Sequence, residues 1–477
     1  MNSIKLFLPD QTKKLTLVTA LAVFIILLAS LPGVNAGSPL AWSTTLDNGA
    51  QVIIIEDHSS PLVASVVNIR AGSHTETIPI NGISHLLEHL LFDGTTNLTA
   101  AELQSSVEAR GGYINAFTRK DYVSFEVVMP VDEYRYGLKV QADQLLNSTI
   151  PETELVRERK VVCEEIATDL KSSSSAADAA LWESLFGSSG YGLPIIGNYQ
   201  TVTEVHREDI INFYRSRYVP NRMTIVVIGD VKPQEVLDEI KTLYQDAKPG
   251  LDSPGSGELP VFPREGKTRV LGKDVKNQTM SMALPGPSPD DPAFLLFNMA
   301  VDLWANSTNS PLSEAMKPFA SRVGAYVTTH RGFSLLQVTA MPDSTENPEQ
   351  LLDQMVAAVM SSIELFLSQP VTTEMLEPLI KSARVDHEFA REKFHHLARE
   401  IGERAALGNL QQYWNFQQEL DRVAPDAVSA AFGMWIAECK PVAVLVVPDP
   451  DASKTVTNYE KPVIKVLPNG LTVITQY

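Results

Sequence analysis

Residues 82–92 read Gly-Ile-Ser-His-Leu-Leu-Glu-His-Leu-Leu-Phe, a His-x-x-Glu-His set inside an apolar run. On a helix, His85 and His89 are four residues apart and share one face, so both imidazoles can reach one metal ion. Glu88 follows His85 by three residues and sits on the neighbouring edge of that face. A carboxylate there can take a proton from water that the metal activates. The order inverts the commoner His-Glu-x-x-His zinc motif, and the chemistry it points to is metal-assisted hydrolysis.

Two histidines do not make a catalytic zinc site, which takes three protein ligands and keeps a position for water. The best candidate for a third lies in Glu158-Arg159-Lys160-Val161-Val162-Cys163-Glu164-Glu165-Ile166, with seventy-five residues between His89 and Glu165. At this spacing the chain resembles the pitrilysin family, the inverted zincins that include insulysin and the mitochondrial processing peptidase. The resemblance implies that Glu165, just ahead of Ile166, completes the ligand set for one Zn2+ per chain. It also implies that Glu158, two turns earlier on the same face, supports a zinc histidine by fixing its tautomer. Cys163 then reads as a packing residue.

A third element of the resemblance is Gly111-Gly112-Tyr113-Ile114-Asn115-Ala116-Phe117-Thr118. Two glycines end a helix and an extended run follows. In the family this is an edge strand beside the zinc, so an extended substrate would add along Asn115 and Ala116 through backbone hydrogen bonds. Arg322-Val323-Gly324-Ala325-Tyr326 resembles the family's Arg-x-x-Ala-Tyr element but departs from its usual Arg-Gly-Leu-Ala-Tyr string. It implies that Tyr326 assists at the oxyanion and that Arg322 holds a substrate carbonyl or carboxylate. The other histidines (58, 74, 206, 330, 387, 395 and 396) have no metal spacing and read as surface or structural residues.

Holding these residues takes an α+β fold. Strands are expected at 50–56, 62–71, 122–129 and 223–229, and the histidine helix runs from 82 to about 92. A long helix opening at Pro151 carries Glu158 and Glu165, and a helix is expected at 233–244. This makes a first, zinc-binding peptidase domain over 40–248. Residues 249–266, rich in Pro, Gly and Ser, read as a linker. The order then recurs over 267–450, with helices expected at 292–304, 348–367 and 373–406 and no His-x-x-Glu-His. This is a degenerate copy of the first domain. The resemblance covers roughly 40–450 and implies two homologous α/β domains, each an antiparallel-rich sheet with helices on one face, forming one half of a clamshell. Leu467-Pro468-Asn469-Gly470-Leu471-Thr472-Val473-Ile474 repeats Leu46–Ile53 at an offset of 421, so 461–477 read as the start of a further repeat or as a terminal strand.

The chain has 477 residues, too many for one core. Lys13-Lys14 precede an apolar run from Leu15 to Leu31, and Val34-Asn35-Ala36 offers a cleavage site. Residues 1–36 therefore read as a secretory signal peptide, with an uncleaved anchor as the alternative and the only expected membrane attachment. The expected location is periplasmic or secreted, in a bacterium. Removing 1–36 takes three lysines and one aspartate from 39 basic and 57 acidic residues, leaving a net charge of −20. Nucleic acid is thereby excluded as a partner. The two cysteines make no disulfide framework.

The reading that follows is a zinc metalloendopeptidase acting on peptides or unfolded segments, with Glu88 as general base. The alternatives are a non-catalytic binding or assembly subunit and an inactive half that needs a partner, either a second copy or a complementary second half.

Overall fold

The computed structural model describes residues 41–251, 260–436, 439–449 and 451–452, and the backbone of 463–466 and 472–475. The expected signal peptide and the middle of the expected linker, 252–259, lie outside the described residues.

Six strands form the first sheet: β1 (Ala41–Thr45), β2 (Gln51–Glu56), β3 (Leu62–Ile69), β4 (Tyr113–Thr118), β5 (Val123–Pro130) and β6 (Met223–Gly229). Their spatial order is β1-β2-β6-β3-β5-β4, antiparallel except for β2 with β6. The second sheet uses β7 (Lys267–Lys273), β8 (Thr279–Gly286), β9 (Ala320–His330), β10 (Phe333–Pro342) and β11 (Val442–Pro448). Its order is β7-β11-β8-β10-β9, again with one parallel pair, β7 with β11. Strand for strand this matches β2-β6-β3-β5-β4, so the second sheet repeats the topology of the first. The copies end on equivalent edges, β4 in one and β9 in the other.

The C-terminal repeat extends to backbone pairing. Strands β12 (Val463–Val466) and β13 (Thr472–Thr475) pair with Val466 opposite Thr472 and Val463 opposite Thr475. At the offset of 421 this is the register of β1 and β2, where Thr45 faces Gln51 and Trp42 faces Ile54.

The central strands bury residues on both faces, which requires layers on both sides. On one face of the first sheet Val52, Ile54, Val67, Phe125 and Ile225 meet α1 (Ile83–Leu90) and α2 (Glu152–Asp169) through Leu86, Leu90, Leu155 and Val162. On the other face Ile53, Ile55, Val66, Val226 and Ile228 receive α4 (Phe394–Leu407) through Phe394, Leu397, Ala398 and Ile401. The second sheet mirrors the arrangement. Met282, Leu284, Val338 and Leu445 face helices of the second half, including Pro348–Ser368. Ala283, Leu335, Val442 and Val444 are covered by α3 (Ser173–Phe186) through Ala177, Leu181, Trp182 and Leu185. Each sheet keeps its own helices on one face and takes a helix from the other half on its second face.

The halves also meet at their hairpin turns. Asp121, in the β4–β5 turn, accepts from the Tyr191 hydroxyl at 2.6 Å and the Arg331 backbone N–H at 3.2 Å, and pairs with His330 Nδ1 at 2.7 Å. Burial pushes the Asp121 carboxyl up, but the His330 and Tyr191 bonds outweigh it and hold the group below its usual range. The neighbouring Lys120 ammonium donates to the carbonyls of Tyr191 (2.9 Å) and Leu193 (3.0 Å), and burial lowers its pKa to about 8.

Three expectations need correction. The single helix expected over 373–406 is two, Thr373–Arg391 and Phe394–Leu407. No Gly or Pro marks the break; the second piece turns because it is drawn onto the first sheet. Helices Leu410–Leu420 and Pro425–Ile436 also occupy a region assigned no element from the sequence. By length and composition, Pro348–Ser368 is apolar enough to cross a membrane, against the expectation that no segment after the leader would be. It lays Leu352, Met355, Val359, Ile363 and Phe366 into the second core.

Candidate metal centre

The helix that carries the motif begins where the backbone turns left-handed at Gly82, with φ of +91°. A Cβ there would stand 2.8 Å from the Gly197 Cα, so only glycine lets the 190–197 loop close against the helix start. Gly82 carries no capping side chain. The buried carboxylate of Glu76 replaces one, accepting from the backbone N–H groups of Gly82 (2.7 Å) and Ser84 (2.8 Å) and from Asn81 Nδ2 (2.9 Å). These bonds meet donors that a helix start otherwise leaves unsatisfied.

From that fixed start, α1 projects His85 and His89 to one side. Their rings lie 4.8 Å apart, centroid to centroid. The Nε2 atoms of both histidines stand 3.8 Å from Glu165 Oε2, contributed by α2. One ligand atom from each of the three residues falls within 4.8 Å of the others. Tetrahedral zinc, with bonds of about 2.0–2.2 Å, separates its ligand atoms by roughly 3.4 Å. The three side chains therefore fit such an ion with small movements, and the donor set of two imidazoles and one carboxylate is one that zinc favours. Burial, with a smaller contribution from the charge of His89, lowers the His85 pKa to about 4. The imidazole is thus held neutral, as a ligand must be.

Around this trio the polar contacts are directional. His89 Nδ1 meets Glu158 Oε2 at 2.9 Å. The other oxygen of Glu158 lies 3.1 Å from Arg157 Nη2, and Arg157 also pairs with Asp93 and Glu154. His85 Nδ1 is buried without a partner among the described residues. Burial raises the pKa of Glu88; the Thr118 hydrogen bond and the charge of His89 offset part of the rise, and the charge of Glu165 adds to it. The Thr118 hydroxyl donates to Glu88 Oε2 at 2.5 Å. The enclosed Tyr218 hydroxyl has its pKa raised by burial and also feels the Glu88 charge.

His85, Glu88, His89, Glu158 and Glu165, spread over 81 residues of sequence, are thus brought together. Asn115 and Ala116 lie on β4, the terminal strand of the first sheet, with Asn115 exposed and Ala116 packed toward α1. Arg322 and Tyr326 lie on β9, the terminal strand of the second sheet. Among the described residues no hydrogen bond, ion pair or ring contact joins either to the histidine site; the Tyr326 hydroxyl instead feels burial and Asp178. Cys163 is a thiol in no disulfide, packed against the first core, and Cys439, likewise in no disulfide, donates from Sγ to the Trp435 carbonyl at 3.0 Å. Thr118, Glu76, Arg157 and Tyr218 were given no role from the sequence. A capping carboxylate for α1 could have been sought, because Gly82 cannot cap the helix itself. Thr118 closes the string that the resemblance set beside the zinc, though without a role of its own; Arg157 and Tyr218 are joined to the site only by folding.

Residues 51–198 match the model of the insulinase (peptidase M16) family, and residues 204–382 match that of the peptidase M16 inactive domain. An uncharacterized zinc protease of Bacillus subtilis is 33% identical over 194 residues, 41% of this chain and 47% of that protein. The mitochondrial-processing peptidase subunit beta of Blastocladiella emersonii is 26% identical over 319 residues, 65% of this chain and 63% of that protein. The chain thus spans about half to five-eighths of the length of these relatives. The crystal structure of a protease from Helicobacter pylori superposes with a TM-score of 0.77, covering 86% of this chain and all of that one at 22% identity, which speaks for the fold alone. With two models of one family matched in tandem across most of its length, and a fold shared with solved members, the chain belongs to the insulinase, or M16 peptidase, family.

Proposed function

We propose that this chain is a zinc-dependent endopeptidase acting on peptides or unfolded segments, exported to the periplasm or beyond. The observation that carries the reading is the meeting of His85, His89 and Glu165 at ligand distance, with the carboxylate of Glu88 beside them. Zinc bound there would supply Lewis acidity, lowering the pKa of water to about 7 and polarising a carbonyl. Glu88 takes the proton of the attacking water and passes it to the leaving amine. Glu158 holds the His89 ring in the tautomer that leaves Nε2 free for the metal. The open edge of β4 offers backbone donors and acceptors to an extended peptide, pairing that ignores side-chain identity. Tyr326 and Arg322 would act only if substrate or a closing movement brought β9 toward the site.

A second reading is that the chain is one half of a two-part peptidase, completed by a second copy or a different chain. It is favoured by the match of 204–382 to a domain described as inactive, and by a relative named as a subunit. One experiment separates the readings: measure bound zinc, then cleavage of a quenched peptide, for the chain and for Glu88→Gln. Zinc with Glu88-dependent cleavage supports the enzyme. Zinc with cleavage only after a second chain is added supports the half. Absence of zinc sinks both.

A further inference from the structure

The strand and the acid of the site are joined by a single hydroxyl. Thr118 closes β4, two residues beyond Ala116, and alternation along the strand puts Ile114, Ala116 and Thr118 on one face. Ala116 packs into the core that contains α1, so this is the face turned toward the histidine helix. Thr118 is 8% exposed, and its hydroxyl donates to Glu88 Oε2 at 2.5 Å. Glu88 Oε1 has no hydrogen-bond partner among the described residues. The turn after Thr118 is fixed from several sides. The Arg119 carbonyl accepts from the Ser73 backbone N–H, the Lys120 carbonyl accepts from the His74 backbone N–H, and Asp121 is held by His330 and Tyr191. Thr118 therefore stands on an anchored backbone, while Glu88 has a side chain with three rotatable bonds.

We infer that Thr118 is a positioning residue for Glu88: its hydroxyl holds one carboxylate oxygen and leaves the other to meet water. This rests on the peptidase reading above. Because the donor comes from the strand proposed to carry substrate, the acid is aligned by the same element that would align the peptide. A misplacement of a reacting group by about 1 Å can cost on the order of 100-fold in rate, so one lost hydroxyl is enough to matter.

The test compares Thr118→Val and Thr118→Ala, which lack the donor, with Thr118→Ser, which keeps it. Zinc affinity is measured by chelator competition, kcat and KM on a quenched peptide, and the Glu88 rotamer in crystals of the metal-free proteins. The hydroxyl-free variants are expected to bind zinc as the parent does. Their kcat should fall about 10- to 100-fold with KM within about twofold, and the Glu88 carboxylate should take more than one orientation. Serine should restore most of the rate. Unchanged kcat in either hydroxyl-free variant, or a rise in KM alone, overturns the inference while leaving the peptidase reading intact. A zinc-loaded parent that cleaves nothing, alone or with a second chain added, sinks the peptidase reading instead. The crystals then decide: Glu88 in its parental orientation in Thr118→Ala overturns the role given to Thr118, and a reoriented Glu88 supports it.

Discussion

His89 Nδ1 lies 2.9 Å from Glu158 Oε2, and this contact aims the opposite ring nitrogen at Glu165. Glu158 is itself buried and held from its far side by Arg157. Removing the carboxylate leaves the imidazole free to rotate and to change tautomer. Glu158→Ala is therefore expected to weaken zinc binding about 10- to 100-fold while the fold persists. Competition against a chelator of known affinity measures this, and an affinity equal to the parent's would refute the role given to Glu158.

Lys120 gives a pH dependence with a definite sign. Burial lowers its pKa from 10.5 to about 8 in the folded chain. Between those values the unfolded chain binds the proton and the folded chain does not, so stability rises with pH across about 8 to 10.5. The full shift corresponds to about 3 kcal/mol. Lys120→Met should remove that slope. Urea unfolding at pH 8 and at pH 10, for parent and variant, checks it; parallel pH profiles would count against the lowered pKa of Lys120.

Asp121 serves three donors from two other segments. Asp121→Ala strands His330 Nδ1 and the Tyr191 hydroxyl in a dry junction. The expected loss is about 3–5 kcal/mol, the range for breaking one side of a buried polar pair. It should appear as a lower urea midpoint with little change in zinc affinity at temperatures where the variant is folded.

The exchange of helices predicts that the halves stay together without their connection. A protease site introduced within 252–259 and cleaved after folding should leave two fragments that co-elute and separate only in denaturant. Either half alone would expose an aliphatic sheet face, Ile53, Ile55, Val66, Val226 and Ile228 in one and Leu335, Val442 and Val444 in the other. Fragments that part in buffer would contradict this packing.

Much of the site was legible before folding. Spacing alone puts His85 and His89 on one helical face, because four residues make about one turn. Glu165 came by resemblance; nothing local in Glu164-Glu165 says which carboxylate points at a histidine 76 positions away. The exchanged helices were not legible. Apolar periodicity shows that Leu397 and Ile401 are buried, but not that they lie against the first sheet rather than the second. β1 was missed because all five of its residues are exposed and show no alternation. The Thr118 and Glu76 contacts escaped because a hydroxyl or a carboxylate has many possible partners until the chain is folded.

Only three residues separate the end of α2, which carries Glu165, from the start of α3, which is sunk into the second sheet through Leu181 and Trp182. The half that owns no motif is therefore ballast for the half that does. Loosening a valine on β11, far from either imidazole, should slacken the tether on Glu165, and substitutions there deserve scrutiny as causes of metal loss as well as of unfolding.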